Sequence, residues 1–336
     1  MRKSLCCKAP AAIHGARRRR CAACGHTWSV RMRKRGRKPK RGKKELAEKI
    51  LREKVSSRGL AISRHIPRET LRRRIGNSLE VWKRTHPCPT PPAGPLIAIL
   101  DAMWFVFRKG IRYTSYLILL RPAAGDTAVL AQLALRRGRE SKAGWSAALD
   151  EFSPEVLSRI VAIVMDGNTG LMRIAKERSW YFQWCHAHMK RRVWELRGVR
   201  KLPAQRLRQR ITKIVYRFLE TDSDQEAARC LFALRKMFDQ PDCPRSFPSR
   251  LSGILKRSRF FRTYREAPEL NMPATTNSAE QIHSRIRERW SAWRGICTPH
   301  ALAYWLDIFQ REIQQVHCRG FKETIQHRPN HRKNGS

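Results

Sequence analysis

The stretch RIVAIVMDGNTGLMRIAKER, residues 159–178, decides the fold. Ile160–Met165 is an unbroken, β-branched apolar run, too short for a helix and bounded by a turn signal, so it reads as a buried strand. Asp166 sits at its end, Gly167–Gly170 make the turn, and helical spacing follows. A carboxylate at the end of a buried strand is costly unless something compensates it.

Working outward, PLIAILDAMWFVFRKG (95–110) repeats the pattern: an apolar run reaches Asp101 and continues as an apolar, aromatic strand. YTSYLILLRPA (113–123) reads as a second strand across a turn. Two adjacent apolar strands suggest an antiparallel pair at the start of a mixed sheet. TAVLAQLALRRG (127–138) and GWSAALDEFS (144–153) are expected to be helical, and WYFQWCHAHMKRRVWELRG (180–198) to be a strand followed by a helix. From 200 to 270 the pattern is helical and polar. TTNSAEQIHSRIRERW (275–290) is a polar turn, then Glu280, then an arginine-rich amphipathic segment; TPHALAYWLDIFQREI (298–313) is a further helix.

The 336 residues carry 71 Lys+Arg against 27 Asp+Glu, a formal charge of +44. Small-substrate chemistry has no need of this; a densely negative partner does, and nucleic acid comes first. Residues 1–90 hold 28 Lys+Arg and 5 acids, and the other 246 hold 43 and 22, so the front is roughly three times more basic per residue. That asymmetry suggests a DNA-gripping front and a body of different purpose. No apolar run reaches about 18 residues, so no membrane span is expected. The start lacks an apolar signal core, which points to a cytoplasmic, nucleoid-associated protein and to cysteines used for metal or left as thiols.

Within the front, RRRRCAACGHTWSV (17–30) looks like the second half of a zinc ribbon. Cys21 and Cys24 form a C-x-x-C knuckle, and zinc takes four such ligands in a tetrahedron. Cys6 and Cys7 are the first pair, irregular because adjacent; His14 or His26 could substitute, and a metal-free basic arm is the alternative. RMRKRGRKPKRGKK (31–44) is a basic arm, with Arg35, Arg37 and Lys38 placed for DNA or simply solvated. ELAEKILREKV, SRGLAISR and IPRETLRRRIG suggest three short helices, the last stopping at Gly76. A helix-turn-helix over 45–84 would present Arg68, Thr70, Arg72, Arg73 and Arg74 to bases and phosphates; a plain basic helical hairpin is the alternative. THPCPTPPAGP, residues 85–95, is a linker.

In the body, Asp101 and Asp166 from neighbouring strands, with a carboxylate from a later helix, can converge on one sheet edge. Oxygen-only ligands of this kind suit Mg²⁺ or Mn²⁺, and two such ions could hold the attacking and leaving oxygens of a phosphodiester. A salt bridge to one of the many arginines is the competing use. Glu280 is the preferred third acid. Glu288 is the reserve; Asp126, Asp150, Glu151, Glu266 and Glu269 sit in turns, caps or helix ends.

Strand–Asp101–strand, strand–Asp166–turn–helix, Cys185 and His188 in CHAH, and Asn277 ahead of Glu280 together resemble the mutator-type DDE transposases of bacterial insertion sequences. The resemblance covers most of the chain, including the ribbon-like and helix-turn-helix front. It implies an α/β, RNase H-like catalytic core with a mixed five-stranded sheet flanked by helices. That core would occupy 96–199 and 271–318, interrupted by an all-α insertion at 200–270 and followed by a basic tail, 319–336. It implies metal-dependent cleavage and strand transfer at the ends of a mobile element by Asp101, Asp166 and Glu280, in a dimer or higher multimer. Arg285, Arg287 and Arg289 would line the DNA path, Cys185 and His188 would support the site, and His283 could touch a phosphate. Trp290 and Trp293 are either base-stacking or, preferably, core residues. The resemblance weakens at Asp101, which is followed by Ala-Met-Trp-Phe, and at the first cysteine pair. The alternatives are a non-catalytic DNA-binding regulator, a domesticated transposase and an RNase H-like nuclease.

Overall fold

The structure is a computed structural model; it describes residues 7–14, 18–29, 41–52, 57–198, 202–292 and 298–319. Cys6, Arg35, Arg37, Lys38 and Trp293 lie outside these residues, as do 320–336.

A small antiparallel sheet opens the chain: β1 (Ala11–Ile13), β2 (Arg18–Cys21) and β3 (Thr27–Ser29), in that order. Three helices follow, α1 (Arg41–Arg52), α2 (Ser57–Ser63) and α3 (Arg68–Thr85). The first starts inside the segment read as an arm. The third runs straight through Gly76, contrary to the expected stop. A helical glycine costs only about 1 kcal/mol, and burial of Leu79 and Trp82 beyond it outweighs that.

The body is built on β4 (Leu96–Val106), β5 (Arg112–Pro122), β6 (Thr127–Arg137), β7 (Ile160–Met165), β8 (Tyr181–Trp184) and β9 (Gln315–His317). These make one mixed sheet in the order β8-β7-β4-β5-β6-β9. The strands β4, β5, β6 and β9 pair antiparallel, whereas β7 runs parallel to both β4 and β8. Among the described residues the sheet therefore has six strands, not five. The sixth is a three-residue polar strand on the edge of β6, which hydrophobic patterning cannot reveal. The segment 127–138 is β6 rather than a helix: Leu130, Leu133 and Ala134 have helical spacing, but the ladder to β5 wins.

Side chains alternate across the sheet. Leu96, Ala98 and Leu100 of β4 point into one apolar layer and Ile97, Ile99, Met103 and Phe105 into the other. The first layer is closed by α4 (Lys142–Leu149), α6 (Thr169–Glu177) and α7 (His186–Arg197). It is continuous with α8 (Gln205–Glu220), α9 (Asp224–Phe238) and α10 (Ser246–Lys256). A five-residue α5 (Pro154–Ser158) leads into β7. The second layer is closed by α11 (Asn277–Ala292) and α12 (Pro299–Glu312). The front helices add Leu46, Leu60 and Leu71 to this layer. Ala47, Leu51, Leu79 and Trp82 also pack with Ile308 of α12, and Lys83 pairs with Asp307 at 2.5 Å.

Arg121 of β5 is fully buried. Its guanidinium donates to the carbonyls of Leu270 and Asn271 at 3.0 and 2.7 Å and of Cys318 at 3.4 Å. It thus fixes both the segment leading into α11 and the chain end that supplies β9. A guanidinium suits this, having donors on several sides and a charge that carbonyls can solvate.

Candidate active site

Asp166 ends up where its sequence context suggested, one residue past β7. Val164 is opposite Ile99 of the parallel β4, so Asp166 and Asp101 lie at one level on adjacent strands. Asp166 Oδ1 accepts from the Asn168 backbone N–H at 3.2 Å. Burial raises the Asp166 pKa, the His188 imidazolium opposes the rise and the Asp101 charge adds to it. This carboxylate is thus held in a place that disfavours its own charge.

Asp101 faces the second layer. Its Oδ2 accepts from His283 Nδ1 of α11 at 2.9 Å, and its Oδ1 from the Ala102 N–H at 3.0 Å. His283 is buried and supports Asp101; its Nε2 has no partner among the described residues.

Glu280 lies in the first turn of α11. Its Oε2 accepts from Arg191 of α7 at 2.5 Å, and its Oε1 is 3.5 Å from His188 Nδ1. Glu288 is exposed. Eight residues along a helix leave it about 80° around the axis from Glu280.

The chemistry of CHAH is resolved by contacts. Cys185 Sγ accepts from the Thr276 N–H at 3.2 Å and the Thr276 hydroxyl at 3.3 Å. The His186 N–H donates to Ala274 O at 2.8 Å. These bonds tie the start of α7 to the turn that launches α11, and so set where Glu280 emerges. For His188, burial alone would lower the pKa. The bond to Cys185 and the charges of Asp101 and Asp166 outweigh it and push the imidazole up to about 9. His186, two residues away, is fully buried, donates from Nε2 to Phe261 O at 2.6 Å, and is pushed down to about 4 by desolvation.

A fourth acid stands here that the sequence reading missed. Glu140, between β6 and α4, accepts from Trp145 Nε1 at 2.8 Å and Asn168 Nδ2 at 2.6 Å, both on Oε1. Burial raises its pKa, and the charges of Asp166 and Asp101 raise it further. It sits in RRGRESKAG, a stretch with no periodicity, and only the tertiary fold brings it to Asp166.

Among the described residues, one group of three His, Cys, Asp or Glu ligand atoms lies within 4.8 Å of one another: Cys7, Cys21 and Cys24. The three carboxylates of Asp101, Asp166 and Glu280 do not make such a group. At the knuckle, the Cys21 N–H donates to His26 O at 2.8 Å and Gly25 adopts φ +71°, a turn that glycine enters freely.

The basic residues divide. Arg68, Arg72, Arg73 and Arg74 are exposed on α3, with Thr70 half-buried. Arg285 and Arg287 are exposed on α11, and Arg287 Nε lies 3.2 Å from Met103 Sδ. Arg289 is instead bound by both oxygens of Glu312. Trp290 packs edge-on against Phe105 and Phe107, at 5.0 and 5.6 Å between centroids, which is a core role. No helix among the described residues is long and apolar enough to cross a membrane. No protein-family model matches the chain, and no curated protein matches it.

Proposed function

We propose that the chain is a DNA strand-transfer enzyme of the mutator-type DDE transposase kind, with an RNase H-like core. The observation that carries this reading is the pairing of Asp101 and Asp166 at one level of adjacent parallel strands, in a sheet of order β8-β7-β4-β5-β6. Three antiparallel strands followed by two parallel ones, with an acid on the first and fourth in chain order, suit that core. Glu280, in the first turn of α11 and 3.5 Å from His188 Nδ1, would reach the same edge once freed from Arg191.

The donor set fits a hard divalent cation. It is made of carboxylate oxygens, one of them on an Asp166 whose ionised form the protein disfavours. Mg²⁺ or Mn²⁺, two ions in the usual arrangement, would activate water or a 3′-hydroxyl and stabilise charge on the phosphate. Asp101 and Asp166 would hold them, with Glu280 on release from Arg191. His283 keeps Asp101 oriented, and Glu140 with Asn168 fixes the turn after Asp166. Exposed Arg285, Arg287 and the α3 arginines would hold DNA phosphates. At the front, Cys7, Cys21 and Cys24 would bind Zn²⁺ with one further ligand. The partners would be the ends of a mobile element, target DNA and further copies of the chain, in a bacterial cytoplasm.

A regulator that binds DNA without cutting it is the second reading, favoured by the Arg191–Glu280 ion pair, which occupies the third acid. Strand cleavage with Mn²⁺ against EDTA decides between them. The enzyme reading expects Mn²⁺-dependent cuts that Asp166→Asn abolishes while DNA binding survives. Unimpaired cleavage by that variant would overturn the site, and metal-independent DNA binding alone would favour the regulator.

A further inference from the structure

We propose that the face of the β4–β5 hairpin around Trp104 is a stacking platform for an unpaired nucleic-acid base, on the sheet face opposite the one that Asp101 occupies. Past Asp101, β4 runs five residues further to Val106, beyond the end of β7. On one face of this extension Met103 and Phe105 are buried, Phe105 against Trp290. The other face is covered only as far as Tyr116, by Trp145 of α4 at 4.8 Å. Past that point β4 opens to solvent, with Trp104 65% exposed and Val106 47%, while Thr114 opposite Trp104 stays buried. Arg112, opposite Val106 in the ladder, holds its guanidinium 5.7 Å from the Trp104 ring centre.

A large indole left in water on a rigid strand, with a cation against its ring, is the combination that sequence-tolerant single-strand binding uses. Three residues of strand put Trp104 roughly 10 Å along β4 from Asp101, with its side chain on the opposite face of the sheet. The occupant is a base rather than a second copy of the chain. The apolar area is one ring and one valine, and it is rimmed by Arg112 and exposed Arg108 in a chain of charge +44. Such a rim repels its own copy and attracts phosphates. The proposal rests on reading the chain as a nucleic-acid enzyme and adds where an unpaired end is held.

The test uses the full chain and a short mixed-sequence DNA strand carrying a fluorescent adenine analogue, titrated at fixed salt. Trp104→Ala should weaken binding roughly 5- to 100-fold and remove the quenching that stacking produces. Trp104→Phe should retain most of both. The indole is exposed, so neither change threatens folding. Equal binding and quenching by all three proteins overturns the proposal, as does an equal loss in Phe and Ala variants, or wild-type protein that binds only duplex. A shift of oligomeric state in Trp104→Ala by sedimentation, with unchanged DNA affinity, would assign the face to self-association instead. These binding readouts do not depend on cleavage, so they stand apart from the Asp166→Asn result.

Discussion

The two sheets among the described residues meet the problem of holding the side chains proposed to bind metal in opposite ways. In the six-stranded sheet, eleven-residue strands are packed on both faces, and the carboxylates are fixed by a core that exists without an ion. In the three-stranded sheet the strands have three or four residues, and among its described residues the one buried hydrophobic side chain is Cys21. A unit that small cannot bury enough apolar surface to order itself. If it binds zinc, the metal is its core, and binding and folding are one event.

The largest expected effect follows from that contrast. Binding energy of a structural zinc is on the order of 10 kcal/mol, all of it folding energy for its module. Chelation, or Cys21→Ser, should release amide protection over residues 18–29 entirely while the body melts where it did before. Hydrogen exchange read by mass spectrometry checks this; retained protection after chelation would break the comparison.

The acid edge should respond the other way. Asp166→Asn is expected to cost about 10³-fold or more in metal-dependent cleavage. Yet the metal-free variant should melt higher than wild type. The sign follows from the raised pKa: stability from Asp166 is complete below the unfolded carboxylate pKa and is lost as pH rises through the folded one. At neutral pH the ionised group destabilises the metal-free fold, and asparagine removes that. Calorimetry in EDTA reads it; a lower melting point would mean that the carboxylate acts as an ordinary structural group.

How much of this was readable in the sequence follows the same division. Runs such as Leu96–Leu100 and Ile160–Met165 announce strands because both faces are buried, and an acid at or beyond such a run stands out. The segment 127–138 did not read correctly, since its apolar spacing fits a helix and only β5 makes it a strand. Glu140 and Arg121 were silent for a related reason. Each acts through partners distant in sequence, Glu140 on Asn168 and Arg121 on Leu270, Asn271 and Cys318. Patterning reports the face a residue presents, and a charged residue in a loop or strand looks the same whether or not a distant partner awaits it.

The histidines of CHAH give a third, smaller test. His186 has its pKa lowered to about 4, so the stability it allows is present above the unfolded histidine value near 6.5 and is lost as pH falls toward 4. The loss amounts to roughly 3 kcal/mol across that window. His186→Gln keeps a donor for Phe261 O but does not titrate there. Urea unfolding at pH 7 and at pH 4.5 should show wild type losing more stability than the variant. Parallel losses would mean that His186 is not the group responsible.

The smallest effect expected is at Asn168, and it asks what holds the acid edge in place of metal. Asn168 makes four hydrogen bonds: its Oδ1 caps α6 by accepting from Gly170 N and Leu171 N, its N–H donates to Asp166, and its Nδ2 donates to Glu140. Serine at this position keeps a capping oxygen and the backbone bond and loses only the link to Glu140. Stability should therefore fall by no more than about 1 kcal/mol. Cleavage should fall several-fold with Mn²⁺ affinity, because the turn carrying Asp166 is no longer braced from β6. Glu140→Gln should behave like wild type, since the Gln carbonyl still accepts from Asn168 and Trp145. If Glu140→Gln instead matched the loss seen in Asn168→Ser, the charge of Glu140 rather than its hydrogen bonds would be what the edge requires. The turn after Asp166 would then depend on the charge of Glu140 and not only on its hydrogen bonds.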